Sequence, residues 1–194
     1  MVTEALIIIL AYLLGSIPTA YILGRFVKST DIRKVGSGNV GTVNAFRSLG
    51  LRPALVIAAV DIGKGMLAVL AVQALGLALP VILLAGAAAV IGHNWPVFLH
   101  FQGGRGSATT VGVLLILIPL ELFITLGAAS IIFLITRKPL VTVMVLLAPL
   151  GPLCYLLGQP PVLSLYALVL PVLVAATAFT KAQRWERRQS SKGN

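Results

Sequence analysis

Long apolar runs fill most of the chain, and short polar or glycine-rich stretches interrupt them. An α-helix rises about 1.5 Å per residue, so about 20 apolar residues are needed to cross a ~30 Å hydrocarbon core. The pattern predicts seven such segments, over about 4–24, 53–75, 79–92, 107–119, 120–136, 139–157 and 161–180. Prolines mark several of the starts: Pro53, Pro80, Pro139 and the pair Pro160-Pro161. Segments three to five are short for a full crossing and are expected to begin or end inside the protein. The expected fold is all-α, a polytopic membrane protein with seven transmembrane helices. A single membrane domain would cover 1–194, with 181–194 as its basic tail.

Composition agrees with the pattern. The chain is 58% hydrophobic and only 10% charged, where a soluble domain carries about 25% charged residues. It lacks the polar residues to cover an apolar core in water. The first run, Ala5 to Leu23, follows Glu4 and no basic residue, and the positive charges start only at Arg25. That order fits a first transmembrane helix rather than a signal peptide. Cys154 stands alone in an apolar run, so it has no partner for an internal disulfide and reads as a small buried side chain.

The net charge of +10 would suit a nucleic-acid partner, but its distribution does not, because no basic residue is interleaved with aromatics on a polar surface. With seven spans, fourteen of the 15 Lys and Arg residues fall on one side, and the exception, Lys64, lies within a span. By the positive-inside rule the basic side is cytoplasmic. The N-terminus is then outside and the tail inside, in a multi-pass membrane protein surrounded by lipid.

Two polar stretches on that side resist explanation as packing. In Gly36 to Arg47, Gly36, Gly38 and Gly41 are expected to allow positive φ and close approach to a ligand, with successive amides forming an anion-binding concavity. A short helix over Thr42–Leu49, ended by Gly50, would bring its N-terminal amides to the same place. Ser37, Asn39, Asn44 and Arg47 then offer donors around one point. The alternative is a structured loop near lipid head groups. In the second stretch, Gly103, Gly104 and Gly106 flank Arg105, and Ser107 is the expected N-cap of the next helix. Arg105 would set a planar fork on a phosphate there, or else serve as an interface anchor.

Other polar groups have two readings each. His93, at a helix end, is either a cap or a ligand-binding donor; His100, between Leu99 and Phe101, reads as interfacial. Asp61 and Lys64, three apart in the second span, either pair with each other or brace the polar site from beneath. No Cys, His and carboxylate grouping has metal-ligand spacing, so neither metal nor cofactor is expected.

With these residues the chain resembles the bacterial membrane-embedded glycerol-3-phosphate acyltransferases that use acyl phosphate. Their signature Gly-Ser-Gly-Asn-x-Gly-Ala-Thr-Asn-x-x-Arg is matched from Gly36 to Arg47. Their second, Gly-His-x-x-Pro-x-Phe-x-x-Phe-x-Gly-Gly-Lys-Gly-Val-Ala-Thr, is matched from Gly92 to Thr109. Asp61 to Gly65 fits Asp-x-x-Lys-Gly, and Leu14-Gly15-Ser16-Ile17-Pro18 also fits. The chain departs from the family at Thr42-Val43, at Arg105 in place of lysine, and at Ser107 in place of valine. It departs furthest at Phe179 to Arg184, where the family carries a His and an Asn.

The resemblance implies transfer of a fatty acyl group from acyl phosphate to the 1-hydroxyl of sn-glycerol 3-phosphate, giving lysophosphatidate and phosphate for phospholipid synthesis. It implies a bacterial inner (cell) membrane location, catalytic roles for Ser37, Arg47, Arg105 and His93, and substrate contacts from the loop glycines, Asn39, Asn44, Ser107 and Lys64. At the departure, the charge of Lys181, with Arg184, would stand in for the family's His and Asn as a substrate-binding group. The base would be a substrate phosphate oxygen in preference to His93. The departures leave a rival, a non-catalytic relative that binds a phosphorylated or lipid ligand. A small anion transporter is disfavoured, because no polar stripe runs through the spans.

Overall fold

The structure, a computed structural model, describes residues 2–190, without the side chains at 140, 184–186 and 188–190. Of the expected basic tail, Lys192 therefore lies outside the described residues. Among those described, all regular structure is helical. In chain order the helices are α1 (Val2–Ser16), α2 (Thr19–Lys28), α3 (Thr42–Leu49), α4 (Leu51–Ala74), α5 (Leu79–Asn94), α6 (Ser107–Leu117), α7 (Pro119–Thr136), α8 (Pro139–Leu147), α9 (Leu150–Leu156) and α10 (Pro161–Ser190). Two 3-10 turns, Ile32–Lys34 and Val97–Leu99, shape the connections at the glycine loops.

Five of these segments are long and apolar enough to cross a membrane: Val2–Lys28, Leu51–Ala74, Leu79–Leu99, Pro119–Thr136 and Pro161–Gln183. Two shorter apolar stretches, Ser107–Leu117 and Val141–Leu156, complete the bundle. The seven apolar segments read from the sequence are all present as helix, but not all at full length. The first is broken at Ile17-Pro18, because proline has no N–H to continue the hydrogen-bond ladder. The sixth is broken at Ala148-Pro149 for the same reason, leaving α8 and α9.

Helix packing depends on missing side chains. A methyl group at Gly15 would overlap the Ala89 backbone of α5, and one at Gly92 would overlap the Tyr12 carbonyl of α1. Between α4 and α6 the arrangement recurs, with Gly65 against Thr109 and Gly112 against the Ile62 carbonyl. Small residues of this kind let apolar helices come close enough for dispersion contacts to hold them together where no water is present to drive association. One core lies among α1, α4, α5 and α6, and a second among α6 to α10. A third, with Ile32, Val40, Ala45, Leu49 and Ile57, seats the first glycine loop on α4.

Candidate active site

The loop from Gly36 to Gly41 is built around the side chain of Asn44, on the first turn of α3. Asn44 is 1% exposed. Its Oδ1 accepts from the Ser37 amide at 3.0 Å, and its Nδ2 donates to the carbonyls of Ile32 (3.1 Å), Val35 (3.1 Å) and Asn39 (3.0 Å). Gly36 and Gly38 have φ of +59° and +65°, as expected, and a Cβ on Gly36 would collide with Asn44 Oδ1. Gly41 differs from expectation: its φ of −161° is ordinary extended backbone. Asn44 is thus the keystone of the loop, with its hydrogen-bonding capacity spent inside it. Asp31 secures the loop's near end, accepting from the Arg33 amide (3.0 Å), Nε (3.0 Å) and Nη2 (2.8 Å). That guanidinium holds the Asp31 carboxyl below its ordinary pKa.

The second loop folds over the end of α5. Gly104 donates its N–H to the His93 carbonyl at 3.0 Å. Cβ atoms on Gly103 or Gly104 would run into His93, its carbonyl in one case and its Nε2 in the other. Gly106, at φ +82°, is the cap of α6, and Ser107 is its first helical residue, so the expected Ser107 N-cap is displaced by one. A positive φ with no room for a Cβ explains why glycine, not serine, takes the cap.

Both loops open on one cavity of about 400 Å³. Its polar end is lined by Ser37, Asn39, Gly41, Thr42, Asn44, Arg47, His93, Arg105 and Ser107. Its other end is apolar and runs between α8 and α10, past Val143, Met144 and Leu147 on one wall and Leu168, Pro171, Val172 and Ala175 on the other. Met144 and Val172 are 51% and 59% exposed, so this end is open sideways. A smaller cavity of about 120 Å³ lies against Arg33, Trp95, Phe101, Gln102 and Lys181. Ser37, Asn39 and Arg105 line both.

Several polar atoms here are buried without a protein partner: Asn39 Oδ1, Thr42 Oγ1, Asn94 Oδ1 and Arg105 Nε. A buried guanidinium N–H or hydroxyl without a partner costs free energy unless a ligand satisfies it; Thr42 and Arg105 both line the large cavity, and a phosphate oxygen is an acceptor suited to either group. Burial pushes the Arg105 pKa down from its ordinary value, yet a guanidinium stays charged at neutral pH.

The remaining expected residues are placed differently from one another. His93 is buried, with Nδ1 3.8 Å from Asp61 Oδ1, and reaches the large cavity. Asp61 and Lys64 do pair, at 2.7 Å. Lys64 also donates to Thr19 Oγ1 (2.7 Å) and to the Ile17 carbonyl (2.5 Å), which the proline break leaves without a helical partner. Its three donors are spent on Asp61 and on holding α2 to α4; Asp61 lines the large cavity, but Lys64 lines neither. Lys181 reaches the smaller cavity, but its donors go to the carbonyls of Asn94, Gly103 and Gly104. His100, at φ +50°, is exposed at the loop surface. The sequence reading did not find the apolar walls from α8 and α10. Pro171, inside a helix, was the available signal.

An all-helical bundle that joins a cationic phosphate-sized pocket to a lipid-sized apolar groove defines a membrane protein of phospholipid chemistry. The chain matches the glycerol-3-phosphate acyltransferase family over residues 5–189 and belongs to that family. It is a glycerol-3-phosphate acyltransferase of the integral-membrane PlsY type. It is 37% identical over 179 residues to glycerol-3-phosphate acyltransferase 4 of Dehalococcoides mccartyi, covering 92% of this chain and 97% of that one. With glycerol-3-phosphate acyltransferase 2 of Moorella thermoacetica it shares 57% identity over 118 residues, 61% of this chain and 60% of the relative. The crystal structure of PlsY in its glycerol 3-phosphate form superposes with a TM-score of 0.85 at 31% identity, covering 94% of this chain and 91% of that one. The lysophosphatidic acid form of the same enzyme gives 0.83 at 30% identity, with the same coverage.

Proposed function

We propose that this chain moves a fatty acyl group from acyl phosphate to the 1-hydroxyl of sn-glycerol 3-phosphate, releasing lysophosphatidate and inorganic phosphate. The observation that carries the reading is the pair of cavities meeting at Ser37, Asn39 and Arg105. The large one suits an acyl phosphate, head group among the cations and chain between α8 and α10. The small one suits glycerol 3-phosphate, and the shared wall is where the two reacting groups come together. The glycerol oxygen attacks the acyl carbonyl carbon, the bond from that carbon to the phosphate oxygen breaks, and the hydroxyl proton passes to a phosphate oxygen. Acyl phosphate is already activated, so the protein supplies position and charge: Arg47, Arg105 and the loop amides stabilise the phosphates, and Ser37 and His93 orient them. No covalent enzyme intermediate is needed.

In this reading the seven apolar segments all act as crossings of one membrane domain. The loops and the tail lie in the cytoplasm and the N-terminus outside, as the basic residues require. The active site then faces the cytoplasm at the inner membrane. Impermeant thiol reagent applied outside intact cells should label a cysteine placed at Gly76 and spare one placed at Arg137. The reverse pattern rejects the orientation.

The activity is tested with purified protein given acyl phosphate and glycerol 3-phosphate, following phosphate release and lysophosphatidate together, with acyl-CoA in parallel. Binding of both substrates without phosphate release overturns the catalytic reading in favour of a ligand-binding relative. Transfer from acyl-CoA alone overturns the donor.

A further inference from the structure

Three backbone carbonyls converge on one point beside Lys181, in the C-terminal half of α10. Lys181 Nζ donates to the Asn94 carbonyl at 2.7 Å, to that of Gly103 at 2.9 Å, and to that of Gly104. One turn earlier on the same face, the Thr177 hydroxyl lies 3.3 Å from the Arg105 carbonyl. The Lys181 ammonium also sits 5.9 Å from the centre of the Trp95 ring. Carbonyl oxygens brought this close repel one another unless a cation stands between them, and an ammonium has three donors for three acceptors.

We infer that Lys181 is a positioning residue, a tethered monovalent cation whose carbonyl ligands fix the Gly103–Gly106 loop so that Arg105 reaches the wall shared by the two cavities. The group supplies no hydrogen bond to a substrate phosphate, since its donors are committed to the loop. Removing the side chain leaves a carbonyl nest of the same charge preference, open to a small free cation such as methylammonium.

The inference rests on the proposed activity only for its kinetic half, and the first measurement needs no turnover. In a Trp185→Phe background Trp95 is the remaining tryptophan. Methylammonium titrated into Lys181→Ala should change Trp95 fluorescence saturably, and should leave the Lys181 parent unchanged. No saturable change in the variant, or an equal change in the parent, overturns the cation nest.

In the kinetic half, Lys181→Ala should lower kcat by about a hundredfold through displacement of Arg105, with little change in KM for glycerol 3-phosphate, and methylammonium should restore part of kcat. A raised KM with kcat retained would make Lys181 a phosphate ligand and overturn the assignment. Should the alanine variant fail to accumulate, Lys181→Gln keeps length without charge, and full kcat in that variant overturns the need for a cation. A parent that turns over nothing while the Trp95 titration succeeds rejects the activity and leaves the nest standing.

Discussion

The Ser37 amide donates to the side-chain oxygen of Asn44 at 3.0 Å, seven residues along the chain. Through that bond a residue of α3 decides the shape of a loop that precedes it. The amide nitrogen of the same side chain donates to the carbonyls of Ile32 and Val35, before the loop, and of Asn39, within it.

Asn44→Ala therefore leaves several buried backbone groups without partners and should cost about 3 kcal/mol. The expected result is a protein with a clearly lower melting temperature in detergent and no acyl transfer. Asn44→Asp keeps the acceptor and loses the donors, so it should fail as well. An alanine variant with normal stability would show that the loop holds its form without Asn44.

Arg47→Ala and Arg105→Ala should each reduce turnover by about a hundredfold or more while the protein still inserts and binds detergent normally, because in the proposed function each removes a cavity-lining charge that stabilises a substrate phosphate. Arg105→Lys should retain part of the activity as a point charge without the planar fork. Phosphate release against acyl phosphate concentration measures all three. Near-normal rates for either alanine variant would remove that residue from the phosphate clamp.

Asp61→Asn and Lys64→Met each strand one half of a buried ion pair and should destabilise the bundle by about 3–5 kcal/mol. The double variant, with no uncompensated charge, should be milder than either single change. Melting curves of the purified proteins give the comparison. If the effects of the two single changes simply add, Asp61 and Lys64 are not coupled.

Asp31 makes a stability contribution that depends on pH in a definite direction. Its folded pKa lies below the ordinary 3.8, chiefly because Arg33 hydrogen-bonds to the ionised form. The contribution is complete above that value and disappears as pH falls through the lowered folded pKa. The stability gap between the parent and Asp31→Asn should thus be constant at neutral pH and close below about pH 4. A gap that widens on acidification would contradict the assigned direction.

The glycine loops were legible in the sequence because their composition is improbable between apolar helices. Thr42–Leu49 appears as the expected helix, ended by Gly50 at φ +100°. The helices themselves were legible as apolar runs, but their breaks at Ile17-Pro18 and Ala148-Pro149 were not read as breaks, because a proline opens a helix as readily as it interrupts one. The groove between α8 and α10 left no trace in composition: Val172, which lines the cavity, and Val169, which is exposed and does not, are the same residue type. The commitments of Lys64 and Lys181 were hidden for a different reason. Their acceptors, Ile17 and Gly103, lie 47 and 78 residues away, and backbone carbonyls carry no residue identity.

The exposed Met144 and Val172 leave one side of the groove open to whatever surrounds the bundle. In a bilayer that surrounding is the pool of acyl chains, so a donor can slide in edgewise and the lysolipid product can diffuse away in the plane. With the proposed donor, what the enzyme would sense is the mole fraction of acyl phosphate in the leaflet. Diluting that leaflet with inert lipid should slow turnover even when the total amount of donor in the tube is unchanged.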